Sequence, residues 1–474
     1  MTKQHWKQLA IILSVYIVLA LGFYWIVADD WKLSPVSVDA VVPSQSVEVT
    51  ANNTVVQTFT VPADLFTGFT FSPVVMDSAG TVHISINDAQ NNMLWGKTFH
   101  GNELVSYTAN TVPFDAPIAN LKGQSLTMHF TSSTGGIAVN YGSTRSAGKF
   151  DVQVETVETL TAGGMELGGQ LALSLSGNNL LNADRYILPI AAILGIVIAA
   201  LYIYLCRCIQ HKQNHIFLKA IHLYNSYNFL LKQLVSRDFK VKYKSSSLGF
   251  IWSFLNPILS MAVYYFVFST LFKSNQEYFP VFLMTGIVIF SYFSESTNLG
   301  MISIVGNAGL ITKVYIPKYI FPLSKVLSSV INFCISMIPL LGVALIVGLP
   351  LHRSILLFPL VLLFLVAFCF GISLILATMN TFFRDTQFLW SVLLTMWNFL
   401  TPVFYPETII PEQFLPIYRL NPLYQFLTFL RSIVIDGVSP APISYLWCTL
   451  AAVIPLLIGL YVFRKNQDQF VLHM

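Results

Sequence analysis

Lys240, Lys242 and Lys244 alternate with Val241 and Tyr243 in the run Leu234-Val-Ser-Arg-Asp-Phe-Lys-Val-Lys-Tyr-Lys-Ser-Ser-Ser-Leu-Gly-Phe-Ile-Trp-Ser-Phe-Leu-Asn-Pro257. Three ammonium groups so close together attract phosphate. The run is basic and amphipathic first and turns apolar within a few residues, the order needed by a helix lying on a membrane face before the chain enters the bilayer. Each such cation gains about 1 kcal/mol at an anionic lipid surface. The run therefore suits first a generic phosphate-facing helix, the usual role of basic interfacial helices, and second the landing place of a pyrophosphate head group.

Charge is scarce elsewhere. Charged residues make up 10% of the chain and apolar residues 55%, and mean hydropathy is +0.65, whereas soluble chains carry about a quarter charged residues. Arg237 and Asp238 are adjacent, so on one helix they share no stripe and each is expected to take a different partner. Asn307, Lys313 and Lys318 fall in Gly306-Asn-Ala-Gly-Leu-Ile-Thr-Lys-Val-Tyr-Ile-Pro-Lys318, and Arg384 and Asp385 in Thr381-Phe-Phe-Arg-Asp-Thr386. Both segments separate apolar runs. Glu295 is the single carboxylate of the apolar run 280–304, and a carboxylate in a bilayer rarely faces lipid. It reads as a contact to a transported ligand, as half of a gating pair, or as a packing residue bonded to Ser291, Thr297 or Asn298.

Trp390, Trp397, Phe399, Phe404 and Tyr405 share one apolar run, and Tyr418, Tyr424 and Phe426 follow in a proline-broken one. Aromatic stripes pack or mark membrane interfaces, yet they also offer faces on which sugar rings slide. Glu295, Trp397, Phe404, Tyr405 and Tyr424 are the candidate lining of a translocation path. Trp95, Tyr107 and Tyr141, in the polar part of the chain, are candidate sugar-stacking residues.

Enzymatic chemistry finds little support. Cys206-x-Cys208-x2-His211-x3-His215 lacks the spacing of zinc sites, and no metal is expected. No G-x-x-x-x-G-K-[ST] run occurs, so no P-loop is expected to bind nucleotide here. His83, His100 and His129 read as surface or packing residues. Five cysteines, none between residues 30 and 185, imply no disulfide framework.

Several apolar spans must hold these residues. The first is Leu9–Val27, read as an uncleaved anchor, and the second Tyr186–Leu205. Six more follow near 249–272, 280–304, 319–347, 355–380, 387–405 and 441–463, lengths that fit a hydrocarbon core of about 30 Å. Residues 406–432, broken by Pro406, Pro411, Pro416 and Pro422, read as a re-entrant pair of half-helices. Segment 29–185 carries 14 acids and 6 bases; the other 317 residues carry 20 bases and 8 acids. The positive-inside rule then places 29–185 outside and both termini inside. That segment reads as short β runs, among them Val55–Val61, Thr81–Ile86 and Ser125–Phe130, with a Gly/Ser/Asn-rich tether over Gly163–Asn182. An antiparallel sandwich is expected, a jelly roll being one form.

Residues 217–474 resemble the membrane subunits of ABC-2 type exporters of lipid-linked polysaccharide, the O-antigen and teichoic-acid permeases. The basic run, Gly306–Lys318, Thr381–Thr386, and Leu420-Asn-Pro-Leu423 after Pro402-Val-Phe-Tyr-Pro406 carry the likeness in order. Together with the spans and strands read above, a helical polytopic membrane protein of eight transmembrane helices with an inserted all-β extracytoplasmic sandwich is expected; the resemblance implies that six of the helices form the exporter core, and the anchor and β-domain are not part of the family's minimal pattern. The chain's divisions would be an anchor (1–28), β-domain and tether (29–185), second helix (186–207), cytoplasmic amphipathic segment (208–247) and transporter domain (248–474). The resemblance implies a homodimer in the bacterial cytoplasmic membrane driven by two copies of a separate ATPase subunit that holds the ATP and Mg. Arg237, Asp238, Asn307, Lys313, Lys318, Arg384 and Asp385 would couple to that ATPase. Lys240, Lys242 and Lys244 would receive the head group among membrane lipids. No nucleic acid is implied, nor any cofactor in this chain. Alternative readings are an ABC-2 exporter of another lipid or small molecule, and a non-transport receptor or glycan-binding protein.

Overall fold

A computed structural model describes residues 3–38, 43–142, 144–147, 150–153, 160–167, 170–210, 216–244, 248–270, 278–314, 316–407 and 410–473. His211 and His215 of the Cys/His run lie outside them. Twelve α-helices occur among these residues: α1 Lys3–Val27, α2 Asp184–Gln210, α3 Ile216–Tyr243, α4 Trp252–Thr270, α5 Phe279–Met301, α6 Ala308–Ile311, α7 Ile320–Ile346, α8 Phe358–Phe382, α9 Thr386–Leu400, α10 Leu415–Leu420, α11 Pro422–Arg431 and α12 Pro442–Asn466. The chain divides into two compact units. One comprises Met1–Asp30, Ala183–Glu407 and Leu415–Met474, the other Trp31–Asn182 together with Thr408–Phe414.

In the helical unit, seven helices among the described residues are long and apolar enough to cross a membrane: α1, α2, α4, α5, α7, α8 and α12. The eighth expected span, 387–405, is the 15-residue α9, about 22 Å long at 1.5 Å per residue. It stops at Thr401 because Pro402 offers no N–H to continue the ladder. Pro280, Pro359, Pro422 and Pro442 open α5, α8, α11 and α12 near their first positions, where a missing N–H is harmless. α8 and α12 approach at two glycines. A Cβ on Gly371 would lie 2.5 Å from Leu456 N, and one on Gly459 2.3 Å from Gly371 O, so only this pair lets the backbones meet.

The β unit is an antiparallel sandwich. One sheet runs Leu33–Val38, Leu173–Leu180, Leu65–Phe71, Asn110–Ala119. A six-stranded sheet runs Met165–Leu167, Leu160–Ala162, Val55–Thr60, Ser125–Thr131, Thr81–Asn87, Met93–His100. In a third, Ile137–Gly142 pairs Gln45–Val49 on one edge and Pro73–Val75, then Gln170–Leu171, on the other. Alternation decides the facing: Val82, Ile84 and Ile86 are buried, as are Leu126, Met128 and Phe130, and they meet Phe59, Phe66, Phe69 and Phe71 in one core. The expected tether over 163–182 is corrected. Leu173–Leu180 lies between two strands of the first sheet, because Leu171, Leu173 and Leu175 alternate into the core behind a polar composition.

Candidate functional site

The ionic residues of α3 meet α5 and α7 in two clusters. In the first, Lys242 Nζ lies 2.8 Å from Glu295 Oε1. Asn332 Nδ2 donates to the same oxygen at 2.7 Å and Ser329 Oγ at 3.3 Å. Tyr243 donates to Asn332 Oδ1 at 2.8 Å and shares a short hydrogen bond with Ser253. Of the expected partners of Glu295, Thr297 instead bonds back to Phe293 O at 2.7 Å, as short hydroxyl side chains do in helices. The carboxylate is thus served from α3 and α7 rather than from its own helix.

In the second cluster, Arg237 Nε and Nη2 donate to Asp238 Oδ1 at 3.1 and 2.9 Å, and Lys325 Nζ lies 2.9 Å from Asp238 Oδ2. Adjacent Arg237 and Asp238 have the separate partners expected of them, Asn307 and Lys325, but they also pair with each other, because the arginine is long enough to fold its fork back over the next residue. Asp238 is 9% exposed and Lys325 18%, so this pair is buried, whereas Lys242 and Glu295 are 41% and 28% exposed. Arg237 Nη2 also reaches Asn307 Oδ1 at 3.5 Å, and Asn307 Nδ2 donates to Ser303 O at 2.7 Å. Lys240 and Lys244 are exposed.

The remaining loop cations differ. Lys313 is exposed. Lys318 donates to Gln467 O at 2.5 Å and sits 5.9 Å over Phe470, tied to the turn after α12. Arg384 and Asp385 are exposed between α8 and α9. That loop is fixed by Asn380, which donates to Met301 O at 3.2 Å and accepts from Gln387 at 3.1 Å.

The proline-broken region is held by polar side chains. Trp397 Nε1 donates to Asn421 Oδ1 at 2.9 Å, and Asn421 Nδ2 donates to Thr401 Oγ1 at 3.0 Å. Trp397 also meets Phe293 edge-on at 5.2 Å. Phe404 is buried against Tyr264 at 4.2 Å and Phe268 at 5.9 Å. Tyr405 donates to Phe399 O at 2.7 Å, and Tyr424 is buried. Each of these aromatics is held by other residues of the helical unit, and Glu295 lies apart in the Lys242 cluster. Sequence reading missed Arg431. Its Nη1 donates to Pro402 O at 2.9 Å and its Nη2 to Val403 O at 3.1 Å, with the guanidinium carbon 3.5 Å from the Phe282 ring centroid. It satisfies the carbonyls that the break after α9 leaves open. The signal was its isolation as the one basic residue between Arg419 and Arg464. Also missed was the end of α1: Asp29 Oδ2 lies 2.7 Å from Arg353 Nη2, and Asp30 Oδ2 accepts from Ser439 N at 2.7 Å.

The three aromatics of the β unit occupy different elements. Trp95 turns inward onto Phe114 at 5.0 Å and Phe69 at 5.7 Å. Tyr141 is bonded to Gln45. Tyr107 is 75% exposed, with a φ of 57°.

Comparison with known proteins locates the helical unit. The ABC-2 type transporter family pattern matches residues 230–435. An O-antigen export system permease protein of Myxococcus xanthus is 33% identical over 246 residues, covering 52% of this chain and 95% of that protein. One of Klebsiella pneumoniae is 34% identical over 244 residues, 51% and 93%. A polysialic acid transport protein of Escherichia coli is 22% identical over 241 residues, 50% and 93%.

Proposed function

The chain belongs to the ABC-2 type transporter family, among its polysaccharide export permeases, and on that premise we propose that it exports a polyprenyl-diphosphate-linked polysaccharide across the cytoplasmic membrane. The observation that carries the reading is the match to O-antigen export permeases over nearly their whole length. Two copies pair around the pathway, and each takes one separate ATPase subunit. Closure of the ATPase pair on ATP moves the segments docked to it and, through them, the helices. Exposed Lys313, Arg384 and Asp385 suit such docking. Lys318, bound to Gln467 O, and Asp238, buried between two cations, suit a bracing role within the permease.

The charge split of the sequence supports an outside location for residues 29–185 and an inside location for both ends. There the β-domain meets the emerging polymer. Its surplus of 14 acids over 6 bases disfavours anionic polymers and suits neutral sugars. Exposed Tyr107 is the best placed of the three aromatics for stacking. Deletion of the gene tests the reading: surface glycan should disappear while its lipid-linked form accumulates inside the cell. Unchanged surface glycan would rule the role out.

A further inference from the structure

A groove of about 500 Å³ lies between α3 and α7, walled by Leu231, Val235, Phe239, Leu327 and Ile331, with the polar Asn228, Lys232 and Ser236 also lining it. Phe239 meets Tyr243 edge-on at 5.3 Å. The Tyr243 hydroxyl reaches Asn332, the residue after groove-lining Ile331, and Asn332 holds Glu295. Phe239, Tyr243 and Asn332 thus link the groove wall to the Lys242–Glu295 pair. Lys240 and Lys244 flank Lys242 and are exposed, and among the described residues neither forms an ion pair.

The two carboxylates near α3 are built differently. Asp238 is buried between Arg237 and Lys325, so losing a cation would leave charge buried and unpaired. Glu295 takes Lys242, Asn332 and Ser329 all on one oxygen. If Lys242 leaves, two neutral donors still hold the carboxylate, and both Lys242 and Glu295 are reached by solvent. The Lys242 contact is thus the exchangeable one.

We infer that the α3–α7 groove binds the prenyl chain of the polyprenyl diphosphate carrier, and that Glu295 is a positioning residue which holds Lys242 until the diphosphate takes it over. This rests on the reading that the exported glycan is lipid-linked. One groove takes one chain, which fits a single-chain prenyl lipid better than a two-chain phospholipid. Three lysines match a head group of more than one negative charge better than a monoanionic one. With Lys242 transferred to the diphosphate, the head group sits beside α5 and α7, and Asn332 and Ser329 go on donating to the carboxylate that Lys242 has left.

The test uses the purified full-length permease with its ATPase in phosphatidylcholine nanodiscs, and farnesyl diphosphate as probe. Inorganic pyrophosphate supplies the head alone and phosphatidylglycerol nanodiscs the bulk anionic surface. Farnesyl diphosphate should bind at least tenfold more tightly than pyrophosphate, and phosphatidylglycerol should leave that binding within twofold. Glu295→Gln should tighten it about three- to tenfold, Lys242→Gln should weaken it about tenfold, and the double variant should match Lys242→Gln. A merely structural role for Glu295 predicts weaker binding in both single variants. Weaker or unchanged binding in Glu295→Gln overturns the inference, as does equal competition by phosphatidylglycerol. A circular dichroism spectrum matching wild type is required of each variant, and Glu295→Asp, which keeps the charge, should bind like wild type. A permease that exports glycan yet binds no farnesyl diphosphate overturns this inference alone. One that binds it while gene deletion spares surface glycan overturns the export reading alone.

Discussion

Asp238→Asn removes the charge that two cations share. Asp238 is 9% exposed and its partner Lys325 18%, so the substitution leaves an ammonium buried and unpaired. Breaking a buried pair from one side costs about 3–5 kcal/mol, whereas replacing both partners with neutral groups of similar volume is nearly neutral or stabilising. Arg237, at 48% exposed, recovers its solvation in water and contributes no more than about 1 kcal/mol. Asp238→Asn should therefore lower the thermal midpoint of the purified full-length protein by roughly 6–20 °C, taking about 2–4 °C per kcal/mol. Asp238→Asn/Lys325→Met should recover most of that loss. The assay is fluorescence-detected unfolding in detergent, read as a double-mutant cycle. A double variant as unstable as Asp238→Asn, or a single variant as stable as wild type, would refute the claim that this pair braces α3 on α7. The same result separates bracing from ATPase docking, since a docking residue would lose coupling at unchanged stability.

Three further outcomes follow from the same geometry. In a cysteine-free background, cysteines at exposed Ser78 and Asn102 should react with a membrane-impermeant thiol reagent on intact spheroplasts, and cysteines at Asn307 and Lys313 should not; labelling at Lys313 from outside would overturn the proposed topology. Arg384→Ala/Asp385→Ala, at exposed positions, should change stability by no more than about 0.5 kcal/mol while lowering ATPase association severalfold in pull-down; full export by that double variant would count against docking there. Burial pushes the His129 imidazole below its ordinary value, so the unfolded chain binds the extra proton first and stability of the β-domain should fall as pH drops through the ordinary imidazole value near 6.5. A thermal midpoint of residues 31–182 that moves no more between pH 7.5 and 5.5 than in His129→Asn would contradict this.

The apolar spans were legible because a bilayer leaves backbone groups no water to bond, so helices must be long and continuously apolar. The strand segments were legible where alternation was clean, as in Thr81–Asn87. Leu173–Leu180 hid behind Gly, Ser and Asn, although its leucines alternate inward. The end of α9 was signalled by Pro402, but the residue that satisfies the opened carbonyls, Arg431, lies 29 positions further on. Glu295 stood out as the single carboxylate of its apolar run, yet its partners are 53 and 37 residues away on other helices, and only packing brings them together. The one-residue spacing of Arg237 and Asp238 hid their mutual contact because the stripe rule concerns Cβ directions, not the reach of a long guanidinium. The contacts of Asp29 and Asp30 depend on chain ends meeting across more than 300 positions, which no local pattern records.

ATP-dependent translocation in a reconstituted system bears most directly on the export reading. The full-length permease and its ATPase are placed in liposomes loaded on the outer leaflet with radiolabelled lipid-linked glycan, and the label protected from an added glycosidase is counted. With ATP and the nucleotide-binding face outward, the protected fraction should rise with time, and it should stay at background without ATP or with a hydrolysis-deficient ATPase. A protected fraction that does not respond to ATP, in vesicles whose ATPase is active and bound to the permease, would contradict the account.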